Sequence, residues 1–444
     1  MSKRTIILAL VLALIMAPVV SGSTTRKTKV VFWYSLSGKI AEATRALVTE
    51  FNKQSKTIEV DAIYQGSYDD SMNKLRTLIL TKAPAKARPH IVQVYDIGTK
   101  FMIDTKAIVP VQTHIDRDKF DLSSFEPGIL AYYTIDGKLN SMPFNISTPL
   151  LYYNKDAFRK AGLDPDKPPR TFDEVVEYAR KLTVKDKSGN VTMHGMSIAI
   201  YGWFFEQFLA TSNLLYANNG NGRDGFATAT AFANPDASAI LDWWEGMVRE
   251  GISLNLGKGT TNTQKAFATG QVAMTLDSTA VLNTILTGVN NQFEVGTGYL
   301  PRPAKSKGGV VPGGGTLWMM AGHNSAEEAA AWEFIKWCVE PKQQAWWHMN
   351  TGYFPVTRKA YDVPELKDHQ KKYPQFATAI NQLRDTPLTR ATQGGLLGVF
   401  SQARQTIEGA IESVLLGKAK SLDALKAAAK EIDAAIARYN DSVK

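Results

Sequence analysis

Apolar and polar positions follow two alternating rhythms along the first third of the chain. The segments 29–34 and 58–64 are short strand-like runs, and 90–95 is a short apolar strand. Between them Ile40, Ala43, Leu47 and Phe51 recur at helical spacing, which predicts a helix over 40–51, and a second helix is predicted over 70–81. Strands alternating with helices predict an α/β lobe on a mostly parallel sheet. Ligands of such sheets sit beyond the carboxyl ends of the strands, which selects the loops 34–38, 66–69 and 95–98.

Beyond Met142 the pattern reads as a second lobe. Thr171-Phe-Asp-Glu174 has the form of a capping box and opens a helix through Val175, Val176, Ala179 and Leu182. Ser325-Ala-Glu-Glu328 is read as a second box, with Ser325 as the cap. The last fifty residues are predicted helical, with Ser421 as a cap, and 272–276 as a strand. The glycines at 308–309 and 313–315 are read as turns. Gly220-Asn-Gly222-Arg-Asp-Gly225 fits the letters of a dinucleotide fingerprint, but it follows Asn218-Asn219 rather than a buried strand, so it too reads as a turn.

Met-Ser-Lys-Arg followed by the apolar stretch 6–20 and a small-residue region is an export signal, expected to span 1–22. The apolar stretch is shorter than the roughly 20 residues of a spanning helix. No cysteine stands near the cleavage region, so the mature protein is expected free of a lipid anchor, in a periplasm or outside the cell.

The chain has 444 residues, 44% of them hydrophobic and 21% charged, enough apolar material for large cores and too little charge for general disorder. A single cysteine, Cys338, excludes a disulfide framework and multi-thiolate zinc. The net charge of +9 is spread without a basic block, so a nucleic-acid partner is not expected. The six histidines are scattered, and neither His-Glu-x-x-His nor Gly-x-Ser-x-Gly occurs. No cofactor, metal or catalytic set is expected, although an exported carbohydrate-active enzyme stays as a remote alternative, because its two carboxylates could be far apart in sequence.

Polar and aromatic residues do gather at turns: Trp33, Tyr34, 67–69, Tyr95, Asp96, 145–148, Trp203, Ser278, 313–316 and Tyr353. Aromatic faces, hydroxyls and glycine amides together suit a polar small-molecule cleft. The stretches Phe144-Asn-Ile-Ser-Thr-Pro-Leu-Leu-Tyr-Tyr-Asn-Lys-Asp-Ala-Phe158, Gln93-Val-Tyr-Asp-Ile-Gly98, Gly313-Gly-Gly-Thr-Leu-Trp318 and Thr351-Gly-Tyr-Phe-Pro355 resemble the extracellular solute-binding proteins of bacterial ABC importers, in their glycerol-3-phosphate-binding branch.

That resemblance implies an α/β, two-lobed periplasmic-binding-protein fold with a hinge and a helical C-terminal segment. Its expected lobes are 29–142 plus 279–322 and 143–278 plus 323–444. It implies a receptor without enzymatic activity that captures glycerol-3-phosphate, a glycerophosphodiester or a related polar ligand, with membrane permease subunits as partners and a monomer as the working unit. By position Tyr68, Asp96, Ser147, Trp203, Ser278, Gly314 and Tyr353 match the family's ligand contacts. The family's ligand-gripping arginine falls in the segment 395–404, where Leu396 takes its place in the preferred alignment. Arg390 is the substitute if the register slips, and a neutral sugar is the ligand if no arginine takes the role.

Overall fold

The apolar runs of the sequence become two sheets in the computed structural model, which describes residues 27–443; the expected export signal lies outside the described residues. Strands β1 (Thr28–Tyr34), β2 (Ile58–Tyr64), β3 (Ile91–Tyr95), β4 (Ile108–Val109) and β5 (Met142–Ser147) belong to the first sheet. Strands β6 (Pro149–Asn154), β7 (Val184–Lys185), β8 (Val191–Ser197), β9 (Val272–Ser278) and β10 (Val295–Tyr299) form the second, and β11 (Gly313–Met320) returns to the first. The first sheet runs β2-β1-β3-β11-β4, with β5 on β11. Its strands β1, β2 and β3 are parallel, and β11 is antiparallel to its neighbours. The second runs β10-β6-β9-β8-β7.

Helices cover both sheets, giving the two-lobed α/β architecture. The helices that matter here are α1 (Gly38–Gln54), α2 (Tyr68–Leu80), α3 (Phe172–Leu182), α4 (Gly202–Thr211), α5 (Pro235–Arg249), α6 (Ser325–Cys338), α7 (Pro341–Thr351), α8 (Phe400–Leu415) and α9 (Ser421–Val443). α1 buries Ala43, Leu47 and Phe51, as its spacing predicts. α3 opens on the Thr171–Glu174 capping box. α2 begins two residues before the expected start, because Ser67 and Asp70 form a capping box of their own. α6 is capped by Asn324 rather than Ser325, since the Asn324 carboxamide reaches the amides of Ala326 and Glu327. Among the described residues no helix is long and apolar enough to cross a membrane.

The sheets depart from the expected boundaries in three places. β5 pairs with β11, so the chain stays in the first sheet up to Ser147. Residues 295–299, expected in the first lobe, pair with β6 in the second sheet. α6 and α7, expected in the second lobe, pack on β1 and α1, where Phe334 meets Phe32 and Phe51 at ring distances of 5.7 and 5.0 Å. Pairing and aromatic burial decide these memberships, and neither is visible in periodicity along one segment. The glycines 313–315, expected as a turn, are the first residues of β11.

Thr148 is the one residue between the sheets on this path: Ser147 pairs with Gly313 on one side and Pro149 with Ser278 on the other. The carbonyl of Thr148 accepts from Thr279 N at 3.0 Å, and the Gln382 amide donates to Thr148 Oγ1 and Pro149 O at 3.1 and 2.8 Å.

Candidate functional site

The seam between the lobes is built from the carboxyl end of β3 upward. Ser35 N donates to Gln93 Oε1 at 2.8 Å, Gln93 Nε2 to Asn145 Oδ1 at 2.9 Å, and Asn145 Nδ2 to the Tyr68 hydroxyl at 2.8 Å. Gln93 and Asn145 are buried, so their orientation is fixed and Tyr68 is held as an acceptor with its own proton free to donate. The Tyr68 ring stacks on Tyr95 at 5.2 Å, and its hydroxyl also meets that of Tyr353. Burial pushes both phenols up, Tyr353 to about 12, and keeps them neutral donors.

β11 passes beside this cluster with no side chain for three residues. Gly314 has φ +93°, and a Cβ there would lie 2.1 Å from Asn145 O; a Cβ on Gly315 would lie 2.9 Å from the Tyr68 hydroxyl. On the opposite side, a Cβ on Gly313 would lie 2.8 Å from Cζ2 of Trp203, which α4 brings from the second lobe.

The charged part of the seam joins three elements. Arg404 of α8 donates through Nε and Nη2 to the two carboxylate oxygens of Glu206 on α4, each at 2.7 Å, and Nη2 stands 3.5 Å from Asp96 Oδ2 at the end of β3. All three side chains are at least nine-tenths buried. Burial raises the Asp96 carboxyl to about 7; Arg404 acts against that rise and Glu206 adds to it. Burial also opposes the Arg404 charge, but Glu206, Tyr201 and Asp96 outweigh it, so the guanidinium stays ionised. Beside Asp96 and Glu206 lies a cavity of about 20 Å³, closed by Tyr132, Tyr216 and Phe400.

The structure brings Tyr68, Asp96, Trp203, Gly314 and Tyr353 to one seam. Ser147 pairs with Gly313 there, and its hydroxyl makes no hydrogen bond among the described residues. Ser278 lies at the crossover; its hydroxyl accepts from Ala280 N at 3.1 Å and serves as a local cap. Leu396 is buried, with its amide bonded to Asn221 O at 2.8 Å. Arg390 is not the substitute arginine, because it lies on the surface paired with Asp224. The arginine present in the seam is Arg404, the last residue of the segment expected to supply one. Its signal in the sequence is a charge inside the apolar stripe Phe400, Ala403, Ile407 and Ile411; Glu206, within a run of buried aromatics, carries the same signal.

Metal-ligating side chains gather at His90, His323 and Glu327, at the end of β3 opposite to Asp96. Val31 N donates to His90 Nδ1 at 2.9 Å, which leaves the ring proton on Nε2, the atom facing Glu327 at 3.8 Å. A ring so protonated offers no lone pair to a metal. The glycine-rich segment around Gly220 is a tight left-handed turn at Asn219, Gly220 and Asn221, without a preceding buried strand.

The family model described as bacterial extracellular solute-binding protein matches residues 46–378. The chain belongs to this family. This solute-binding protein is 34% identical over 426 residues to the sn-glycerol-3-phosphate-binding periplasmic protein UgpB of Pectobacterium atrosepticum, covering 94% of the chain and 93% of the relative. It is 33% identical over 441 residues to the protein of the same name from Escherichia coli, covering 97% and 98%. Its fold matches the crystal structure of UgpB from Mycobacterium tuberculosis in complex with glycerophosphocholine, with a TM-score of 0.78, 21% identity and coverage of 93% and 99%. It also matches the sugar-binding protein MalE from Xanthomonas citri, with a TM-score of 0.75, 22% identity and coverage of 93% and 98%.

Proposed function

We propose that this protein is an exported receptor that captures a glycerol phosphate compound between its lobes and hands it to the permease of an ABC importer. The observation that carries the ligand class is the buried Arg404, set against Asp96 and near the Tyr68–Asn145–Tyr353 cluster: guanidinium for a phosphate oxygen, carboxylate and phenols for glycerol hydroxyls. The near full-length likeness to periplasmic glycerol-3-phosphate-binding proteins supports the same ligand class and a periplasmic location.

The ligand contacts in this reading are Tyr68, Asp96, Ser147, Trp203, Ser278, Gly314, Tyr353 and Arg404. Closure turns on the crossover at Thr148, where Gln382 ties Thr148, Pro149 and Leu300 together. The protein acts as a monomer, with neither cofactor nor nucleic acid. A neutral polyol or sugar is the second reading, favoured by the fact that Glu206 already satisfies one edge of Arg404.

Calorimetric titration of the ligand-stripped mature protein with sn-glycerol-3-phosphate, a glycerophosphodiester and a panel of neutral sugars tests the proposal. Micromolar or tighter binding of either phosphate compound supports it. Binding of a neutral sugar alone transfers the conclusion to the second reading, and turnover of any of these compounds removes the binding-only role.

A further inference from the structure

We propose that Glu206 sets the charge of the ligand that this site accepts, selecting singly charged phosphodiesters of glycerol over doubly charged phosphate monoesters. The inference rests on the phosphate-compound reading above and assigns a specificity determinant within it.

A guanidinium grips a phosphate best through two parallel N–H groups on one edge. In Arg404 the Nε and Nη2 edge is taken by Glu206, with both contacts at 2.7 Å. The second face of Nη2 looks toward Asp96 at 3.5 Å, and the Tyr201 ring centroid lies 5.5 Å from the guanidinium carbon. A phosphate therefore finds the Nε–Nη2 edge occupied and meets the guanidinium from its Nη1 end, where the second Nη2 donor already looks toward Asp96; the Nε–Nη2 edge opens only by displacing a buried carboxylate.

The surroundings add to the effect. Three carboxyl groups share the neighbourhood of Arg404: Asp96, Glu206 and Glu408, whose Oε1 accepts from Gly202 N at 3.0 Å. The other buried guanidinium of this region, Arg223, donates to the main-chain carbonyls of Gly394, Tyr132 and Gln393. Its donors are committed to holding the 393–394 loop against Tyr132. A phosphate monoester carries about 1.5 to 2 negative charges at neutral pH, whereas a diester carries one. In a buried site, each further negative charge meets the carboxyl groups without a matching cation.

The test compares wild type, Glu206→Gln and Glu206→Asp by calorimetric titration with sn-glycerol-3-phosphate and glycerophosphocholine at neutral pH, after melting curves establish that each variant is folded. The quantity read is the ratio of the two affinities. Removing the charge in Glu206→Gln should shift that ratio at least tenfold toward the monoester, and Glu206→Asp, which keeps the charge, should hold it within about threefold of wild type. A ratio unchanged in folded Glu206→Gln, or one that moves equally in Glu206→Asp, overturns the inference while leaving the phosphate-compound reading intact. Failure of wild type and both variants to bind either compound overturns both.

Discussion

Arg404 and Glu206 meet through two donors on two separate carboxylate oxygens, and the pair bridges helices 198 residues apart in the sequence. Such a pair is strongly destabilised when one partner is removed alone, because the remaining charge stays buried. Arg404→Ala should therefore lose about 3–5 kcal/mol in urea denaturation together with phosphate-ligand affinity. Arg404→Met combined with Glu206→Met should recover most of the stability and none of the affinity. A double variant no more stable than the single one would show that the ion pair is not the source of the loss.

Tyr68→Phe leaves the buried Asn145 Nδ2 without its 2.8 Å acceptor and removes a donor from the cleft. An unsatisfied buried amide costs about 1–3 kcal/mol, so a lower melting temperature and roughly tenfold weaker binding are expected. Calorimetry on the variant checks both, and full retention of affinity would take Tyr68 out of the ligand site.

Gly313 and Gly314 should respond differently to the same methyl group. Gly314→Ala forces a side chain onto a backbone with φ +93° and against Asn145 O, so it should lower the melting temperature of the whole protein. Gly313→Ala meets the Trp203 ring across the seam and should weaken ligand binding. It should also alter the part of the tryptophan emission that disappears in Trp203→Phe. Identical effects of the two variants on stability and binding would contradict the separate roles.

Asp277, next to Ser278, is buried and accepts from Gln264 Nε2 at 2.8 Å and Ser278 N at 2.7 Å; burial raises its carboxyl to about 7. A carboxyl that holds its proton more tightly when folded stabilises the protein fully below its unfolded value. That contribution is lost as pH rises through the folded value. The window for Asp277 thus runs from about pH 4 to 7, with stability falling as pH rises. Melting temperatures of wild type and Asp277→Asn across this range should diverge, the variant losing less, and parallel curves would rule the group out.

The strand at 91–95 was readable because it is buried at every position, those at 29–34 and 58–64 because β-branched and aromatic residues mark them although parts of both face solvent, and the Thr171–Glu174 box was readable because its chemistry is local. β11 was not: its first three residues are glycines for the sake of Asn145, Tyr68 and Trp203, which approach from distant parts of the chain. The cap of α6 shifted by one residue because Asn324 and Ser325 are both good caps and only geometry chooses between them. Arg404 was within reach, since helical spacing places it on the buried face of α8. Leu396, eight residues before Arg404 in the same segment, is a buried apolar residue and offers no charge to a ligand.

The bare stretch of β11 also limits where the seam can change its shape. Asn145 presses on it from the first lobe and Trp203 from the second, so almost any side chain introduced at 313–315 is opposed from one side or the other. A change in the shape of the seam has to come from other elements, such as the α4 helix that supplies Trp203 and Glu206, while the glycine strand keeps the width of the gap between Asn145 and Trp203 fixed.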